Sequence, residues 1–285
     1  MNNESREETA RRYAIKITLA KMLEGSMIVV VKNEDEAYVA EAHGARAIIP
    51  IELTNLQNAS KNSNRLTEAD LSHIHDIMDF VTIPIIARVR VGHTSRAKAF
   101  EGGKVNFLYE YEDISKISEN YIFKHPFKIP FITEAKSLSY ALKRINEGSS
   151  LIINKSSNED SDNVGSTFNT VRAIFKEIET LHEADDVYAR TIAVSAEVPE
   201  ELVKMVARKG KLPVPFFASG GIFTPIDVSL FMKLGCDGVI ISNCVFNVIN
   251  PETHIKKISQ ALNNYNDPNK LMDLMTGIGP PIKPS

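Results

Sequence analysis

Eight short runs of β-branched and aliphatic residues recur along this chain, at Met27–Val31, Ala47–Ile51, Ile83–Val89, Val105–Tyr109, Phe131–Thr133, Leu151–Lys155, Phe216–Ser219 and Gly238–Ser242. Segments with helical spacing lie between most of them: Asp35–His43, Asp70–Phe80, Lys136–Glu147, Pro225–Leu234 and Pro251–Leu262. Strands apolar on both faces must be covered on both faces, which is the pattern of a parallel sheet wrapped in helices. Eight strand–helix units in about 250 residues fit an α/β fold of the (βα)8 TIM-barrel type. A doubly wound open sheet carries the same local signature and is the competing reading, but it usually needs fewer strands.

Two stretches break the rhythm. Asn55–Arg65 is a polar connection after the second run, and Ser156–Val164 follows the sixth. A long helical insertion over Ser166–Arg208 then separates the sixth run from the seventh. Excursions that follow barrel strands are expected on the catalytic face. An extra helix is expected at about Tyr13–Leu23, and the final GIGPPIKPS is too rich in proline to continue a helix. Residues 1–285 are read as one barrel domain, with 1–12 and 280–285 as flexible tails.

Composition narrows the function classes. With 285 residues, 43% of them hydrophobic, the chain can bury a large core. Its formal net charge is −3 and its Lys and Arg are scattered, so no basic footprint for nucleic acid is present. The longest apolar runs, such as Met27–Val31, are about five residues against the roughly 20 of a membrane span. The polar start MNNESREETARR lacks a signal-peptide core, and two cysteines make no disulfide framework. The expectation is a cytoplasmic protein with neither nucleic acid nor membrane as partner.

The clearest local signal is Ala218-Ser219-Gly220-Gly221-Ile222-Phe223-Thr224-Pro225. Paired glycines between a strand and a Thr-Pro helix start let backbone N–H groups approach an anion. After the seventh strand this is the common phosphate position of such barrels, although a tight turn with no ligand fits the same residues. Lys155 closes the sixth strand; it is either a solvated strand end or an imine-forming amine whose pKa is lowered by poor solvation. Arg88 and Arg90 close the third strand on the same side and suit phosphate or carboxylate. Arg88 itself cannot form an imine, because a guanidinium stays protonated. His73 and His75 stand two apart on a helix and make a poor metal pair, so no metal site is read. Cys236 and Cys244 read as small buried hydrophobes. Glu159, Asp160 and Asp162 read as a solvated acidic loop.

From about Ile15 to Gly279 the chain resembles the synthase subunit of glutamine-dependent pyridoxal 5′-phosphate synthase, the PdxS/SNZ family. The resemblance is carried by Met22–Gly25, Ile83-Pro84 through Gly92-His93, Lys124-His125 through Phe131, Ala141–Ile145 through Gly148, Glu201–Lys204, Leu212–Val214, Ala218–Pro225 and Leu234–Gly238. It implies a TIM barrel that joins a pentose phosphate, a triose phosphate and ammonia into pyridoxal 5′-phosphate without an organic cofactor. It also implies a glutaminase partner docking near the N-terminal helix, and hexameric rings that pair into dodecamers.

The same resemblance implies two lysines and an aspartate for the chemistry. The aspartate position on the first strand is Val30 here, and the first imine lysine, on the third strand, is Arg88. The second lysine is retained as Lys155, while the arginine two residues before it is Ile153. The glycine-rich phosphate loop becomes Ser156–Asn163, with no glycine and three carboxylates, and a Gly-Ser-Gly turn becomes Ser242-Asn243-Cys244. Val30 cannot transfer a proton and Arg88 cannot condense with an aldehyde. The expectation is a pseudoenzyme that co-assembles with catalytic paralogues in mixed hexamers or dodecamers. Its remaining phosphate contacts are Gly220, Gly221, Ser242 and Asn243, and sugar phosphates should bind weakly if at all. The alternative is an active synthase subunit, or a related sugar-phosphate enzyme, working through Lys155.

Overall fold

The computed structural model describes residues 6–51, 68–111, 121–155 and 163–279. Asn55–Arg65 and most of Ser156–Val164 lie outside them. The strands are β1 Ser26–Val31, β2 Ala45–Pro50, β3 Ile86–Arg90, β4 Phe107–Tyr111, β5 Phe131–Ala135, β6 Leu151–Asn154, β7 Phe216–Ser219 and β8 Gly238–Ile241. All pair in parallel, in the order β2-β1-β8-β7-β6-β5-β4-β3. An Ile48–Ile85 bridge and a bond from the Ile48 N–H to the Pro84 carbonyl (3.0 Å) join β2 to β3 and close the ring. The fold is an α/β (βα)8 barrel.

Strand alternation divides the apolar residues into two cores. Ile28, Ala47, Ile49, Ile86, Phe107, Ile132, Leu151, Ile153, Phe217 and Ile240 meet inside the barrel. Their neighbours, such as Val29, Ile48, Ala87, Leu108, Ile152 and Val239, pack outward under the helices. The barrel is therefore filled with side chains and is not a channel. Phe217 fits because its neighbour on β8 is Gly238, where a Cβ would stand 2.4 Å from the phenyl ring.

The first helix, Arg6–Lys21, starts seven residues before the expected Tyr13, so much of the stretch read as a loose tail is helical. Ala20 and Leu23 join the interior cluster and stop the end where the strands begin. Tyr13 donates to the carbonyls of Ser149 (2.6 Å) and Ile145 (3.2 Å), and fully buried Lys16 donates to those of Lys124 (2.9 Å) and Phe127 (3.2 Å). Beside this helix lies a buried ion pair. Lys124 Nζ sits 2.7 Å from Glu110 Oε2 with both side chains wholly buried. The other oxygen of Glu110 accepts from the N–H groups of Ile122 (2.8 Å) and Gly92 (3.2 Å).

The long insertion lies elsewhere than expected. It is three helices, Val164–Glu183, Asp186–Ala196 and Glu200–Lys209. The first covers the sheet, burying Val171, Ile174, Ile178 and Leu181. It starts against Gly221, after β7, and ends with His182 bonded to the Ala207 carbonyl (2.6 Å), ahead of β7. It thus runs from the carboxyl ends of the strands to their amino ends. The two helices after it pack on each other and against the helices Leu138–Asn146 and Val164–Glu183. Two further helices, Thr94–Gly102 and Pro268–Met275, went unread in the sequence. The second has a clear start signal, since Asp267 caps the N–H groups of Asn269 and Lys270.

Candidate functional site

In a barrel the reactive groups are the inward side chains at the carboxyl ends of the strands. The interior cluster fixes which those are. Val30 packs against it directly. Arg88 follows Ile86 by two on β3, Glu134 follows Ile132 on β5, Lys155 follows Ile153 on β6, Ser219 follows Phe217 on β7 and Ser242 follows Ile240 on β8. Each therefore shares its predecessor's inward face. Strand register brings Val30, Arg88, Lys155 and the β7–β8 turns to one mouth.

The side of this mouth between β3 and β5 is crowded with charge and aromatic rings. The guanidinium carbon of Arg88 lies 4.4 Å from the Tyr111 ring centre and 5.8 Å from that of Tyr109. Arg90 Nε donates to the Tyr111 hydroxyl at 3.3 Å. The Tyr109 hydroxyl donates to the Glu134 carboxylate. Burial, and then the charge of Glu134, drives the Tyr109 pKa far up, so this phenol stays protonated. Arg88 Nε is buried and meets no hydrogen-bond acceptor among the described residues.

Val30 brings no polar atom to the mouth. Lys155, half-buried at the end of β6, has its pKa lowered by burial, which favours the nucleophilic free amine. Its N–H is anchored to the Ala135 carbonyl at 2.8 Å.

Opposite β3 the chain builds the Gly220–Gly221 turn. Asn154 straps it from β6, accepting from the Ser219 N–H (2.7 Å) and donating to the Ser219 carbonyl (2.9 Å). Both glycines have positive φ, 108° and 68°. At Gly221 a Cβ would stand 2.2 Å from the Val164 nitrogen, so the glycine has a packing reason as well as a ligand-binding one. Among the described residues nothing accepts the N–H groups of Gly220 and Gly221. Ser242 and Asn243 open a 3-10 turn, Asn243–Phe246, at the end of β8. These are the two loops and the short extra helix from which barrels build phosphate sites. The nearby start of the helix Val164–Glu183 is not equally open, because Asn163 caps the N–H groups of Gly165 (2.9 Å) and Ser166 (3.3 Å) itself.

Some expectations need correction. Cys236 is buried as expected, but Cys244 is only half-buried and lies 2.7 Å from the Ser242 hydroxyl, so it belongs to the mouth. His73 is buried while His75 is exposed, in keeping with their divergent directions. Among the described residues no three His, Cys, Asp or Glu side chains are grouped to hold a metal. Glu134, Tyr109 and Tyr111 went unnoticed as site residues. Their signal was present: a lone carboxylate inside the buried run Phe131–Ala135, and two tyrosines one strand period apart.

With this mouth defined, the likeness to known proteins can be placed on it. The model of the SOR/SNZ family matches residues 12–219, from the first helix through β7. The chain belongs to the SOR/SNZ family. Among its relatives is the pyridoxal 5′-phosphate synthase subunit SNZERR of Suberites domuncula, 38% identical over 269 residues covering 94% of this chain and 87% of that protein. The pyridoxal 5′-phosphate synthase subunit SNZ1 of Saccharomyces cerevisiae is 36% identical over 276 residues, 95% of this chain and 91% of that one. The subunit PdxS of Chloroflexus aggregans is 35% identical over 269 residues, 94% and 91% respectively. The family's barrel is thus kept along nearly the whole chain, with Val30 and Arg88 facing its interior at the ends of β1 and β3.

Proposed function

We propose that this chain is a non-catalytic subunit of the vitamin B6 synthase system, acting in the cytoplasm by joining assemblies of catalytic paralogues. One observation carries this reading. The inward position at the end of β3, where the family resemblance requires an imine-forming lysine, holds a guanidinium packed on two tyrosine rings. A lysine captures the pentose because its amine can lose a proton and attack a carbonyl carbon; Arg88 can do neither. Val30 removes the acid on the neighbouring face of the mouth, and no inward group on β1 replaces it.

The outer surfaces support a binding role. Val187 (68% exposed) and Val194 (75%) stand out on the outer helix Asp186–Ala196, with Tyr188 (39%) beside them. Ile15 and Leu19 on the first helix, and Met22 in the turn just after it, are all exposed. Apolar side chains in these positions suit contact with other subunits, the second group with a glutaminase.

A second reading is favoured by one feature, the lowered pKa of Lys155. That amine is suited to imine chemistry alone, in residual synthase activity or another reaction of a sugar phosphate. A turnover assay separates the two. Purified protein given ribose 5-phosphate, glyceraldehyde 3-phosphate and an ammonium salt should form no pyridoxal 5′-phosphate above a buffer control. Product absorbance that grows with enzyme concentration would overturn the non-catalytic reading.

A further inference from the structure

We propose that the barrel mouth binds a phosphorylated sugar acid, its carboxylate taken by Arg88 and its phosphate by the turns after β7 and β8. The inference rests on the phosphate reading of Gly220–Gly221 and assigns the other end of the ligand.

A guanidinium has no use for an aldehyde carbon, but its planar fork of N–H donors matches a carboxylate in a bidentate pair. Arg88 is prepared for such a partner. Tyr111 and Tyr109 flank its guanidinium at 4.4 and 5.8 Å. Its Nε is a buried donor with no acceptor among the described residues. Buried donors are almost always met, so an orphan on a residue at the mouth marks a place for an incoming oxygen. The tyrosines do not meet the need themselves. The Tyr109 hydroxyl is committed to Glu134, and that of Tyr111 receives the Arg90 bond.

The electrostatics of the mouth agree. On the described inward strand ends Arg88, Arg90 and Lys155 carry positive charge, and the carboxylate of Glu134 is hydrogen-bonded by Tyr109. β3 and β7 stand four places apart in a closed ring of eight, hence on opposite sides. A ligand that meets both Arg88 and Gly220–Gly221 must carry its two anionic groups at its two ends. Sugar hydroxyls between them would pass Lys155 and Ser242, which line the wall from β6 to β8.

Titration calorimetry on the intact protein tests this with three probes: ribonic acid 5-phosphate, ribose 5-phosphate and inorganic phosphate. The acid should bind at least about tenfold more tightly than the aldose, because only the acid gives Arg88 an acceptor pair. Arg88→Gln should abolish that preference, and Arg88→Lys should keep part of it. An unaltered thermal midpoint shows that each variant is folded; were Arg88→Gln to unfold, the wild type and Arg88→Lys decide the matter. Equal binding of acid and aldose by the wild type, or a preference that survives Arg88→Gln, would overturn the inference while leaving the phosphate reading intact. No binding of any probe would remove both.

Discussion

Arg88 and Arg90 both converge on Tyr111, one stacking its guanidinium 4.4 Å from the ring centre, the other donating to the hydroxyl at 3.3 Å. A side chain held this way is not a lysine lengthened by one group. It is a permanent cation, oriented by aromatic faces, in a place where covalent capture would need a neutral amine. The scaffold that places it is otherwise intact, since the interior cluster and the ring of eight parallel strands are complete around it.

Borohydride trapping after incubation with ribose 5-phosphate should therefore give no adduct on β3. Intact mass and peptide mapping read this directly. The double variant Val30→Asp with Arg88→Lys should recover only a small part of a family member's turnover. The amides at the start of the helix Val164–Glu183 remain capped by Asn163, leaving fewer donors for a second phosphate. Full recovery would show that those donors are not needed. A trapped adduct at Lys155 in the unaltered protein would favour the enzymatic reading.

The buried Lys124–Glu110 pair gives a stability prediction. Glu110→Gln removes the closest countercharge of the buried Lys124 ammonium, 2.7 Å away, leaving it only Glu147 at 3.4 Å, and should cost at most roughly 3–5 kcal/mol. Adding Lys124→Met should return part of that loss, because it removes a buried charge left with only its more distant partner. Denaturant unfolding of the two variants measures both; a double variant weaker than Glu110→Gln would contradict the account.

Much of this fold was legible because its strands are buried on both faces, so that each reads as an apolar run without needing tertiary knowledge. The helix Thr94–Gly102 was missed because its sequence, TSRAKAFEG, buries only Ala97 and Phe100 and shows little apolar periodicity. The three-helix insertion was recognised but put on the wrong side. Sequence shows that extra residues follow β6, not that Val164–Glu183 first returns along the barrel. At the site, strand period two was enough to align Val30, Arg88 and Lys155. Which rings and carboxylate meet Arg88 depends on the β3–β4–β5 register, Arg88 beside Tyr109 and Tyr109 beside Ile132, which no local pattern specifies.

Lys16 supplies a pH prediction. Burial, aided by the nearby charge of Arg12, lowers its pKa to about 8. In the unfolded chain a lysine keeps its ordinary value near 10.4. Between those values the unfolded state binds more protons than the folded one, so this group's contribution to stability rises with pH from about 8 toward about 10. The thermal midpoint of the wild type relative to Lys16→Met should accordingly increase between pH 7 and pH 9.5. A flat difference would show that Lys16 titrates in the folded protein as it does in water, and a falling one that folding raises its pKa; either contradicts the account.

The account stands or falls on what this barrel joins. Interfaces and chemistry use separate residues, so loss of the acid and the first lysine need not disturb assembly. Cyclic assemblies accept a homologous subunit when the contact patches are shared. Co-expression with a catalytic paralogue followed by native mass spectrometry is the direct test. The account predicts mixed rings or mixed dodecamers containing both chains, and a large homo-oligomer when this chain is alone. A monomer that never enters the paralogue's assembly would contradict it.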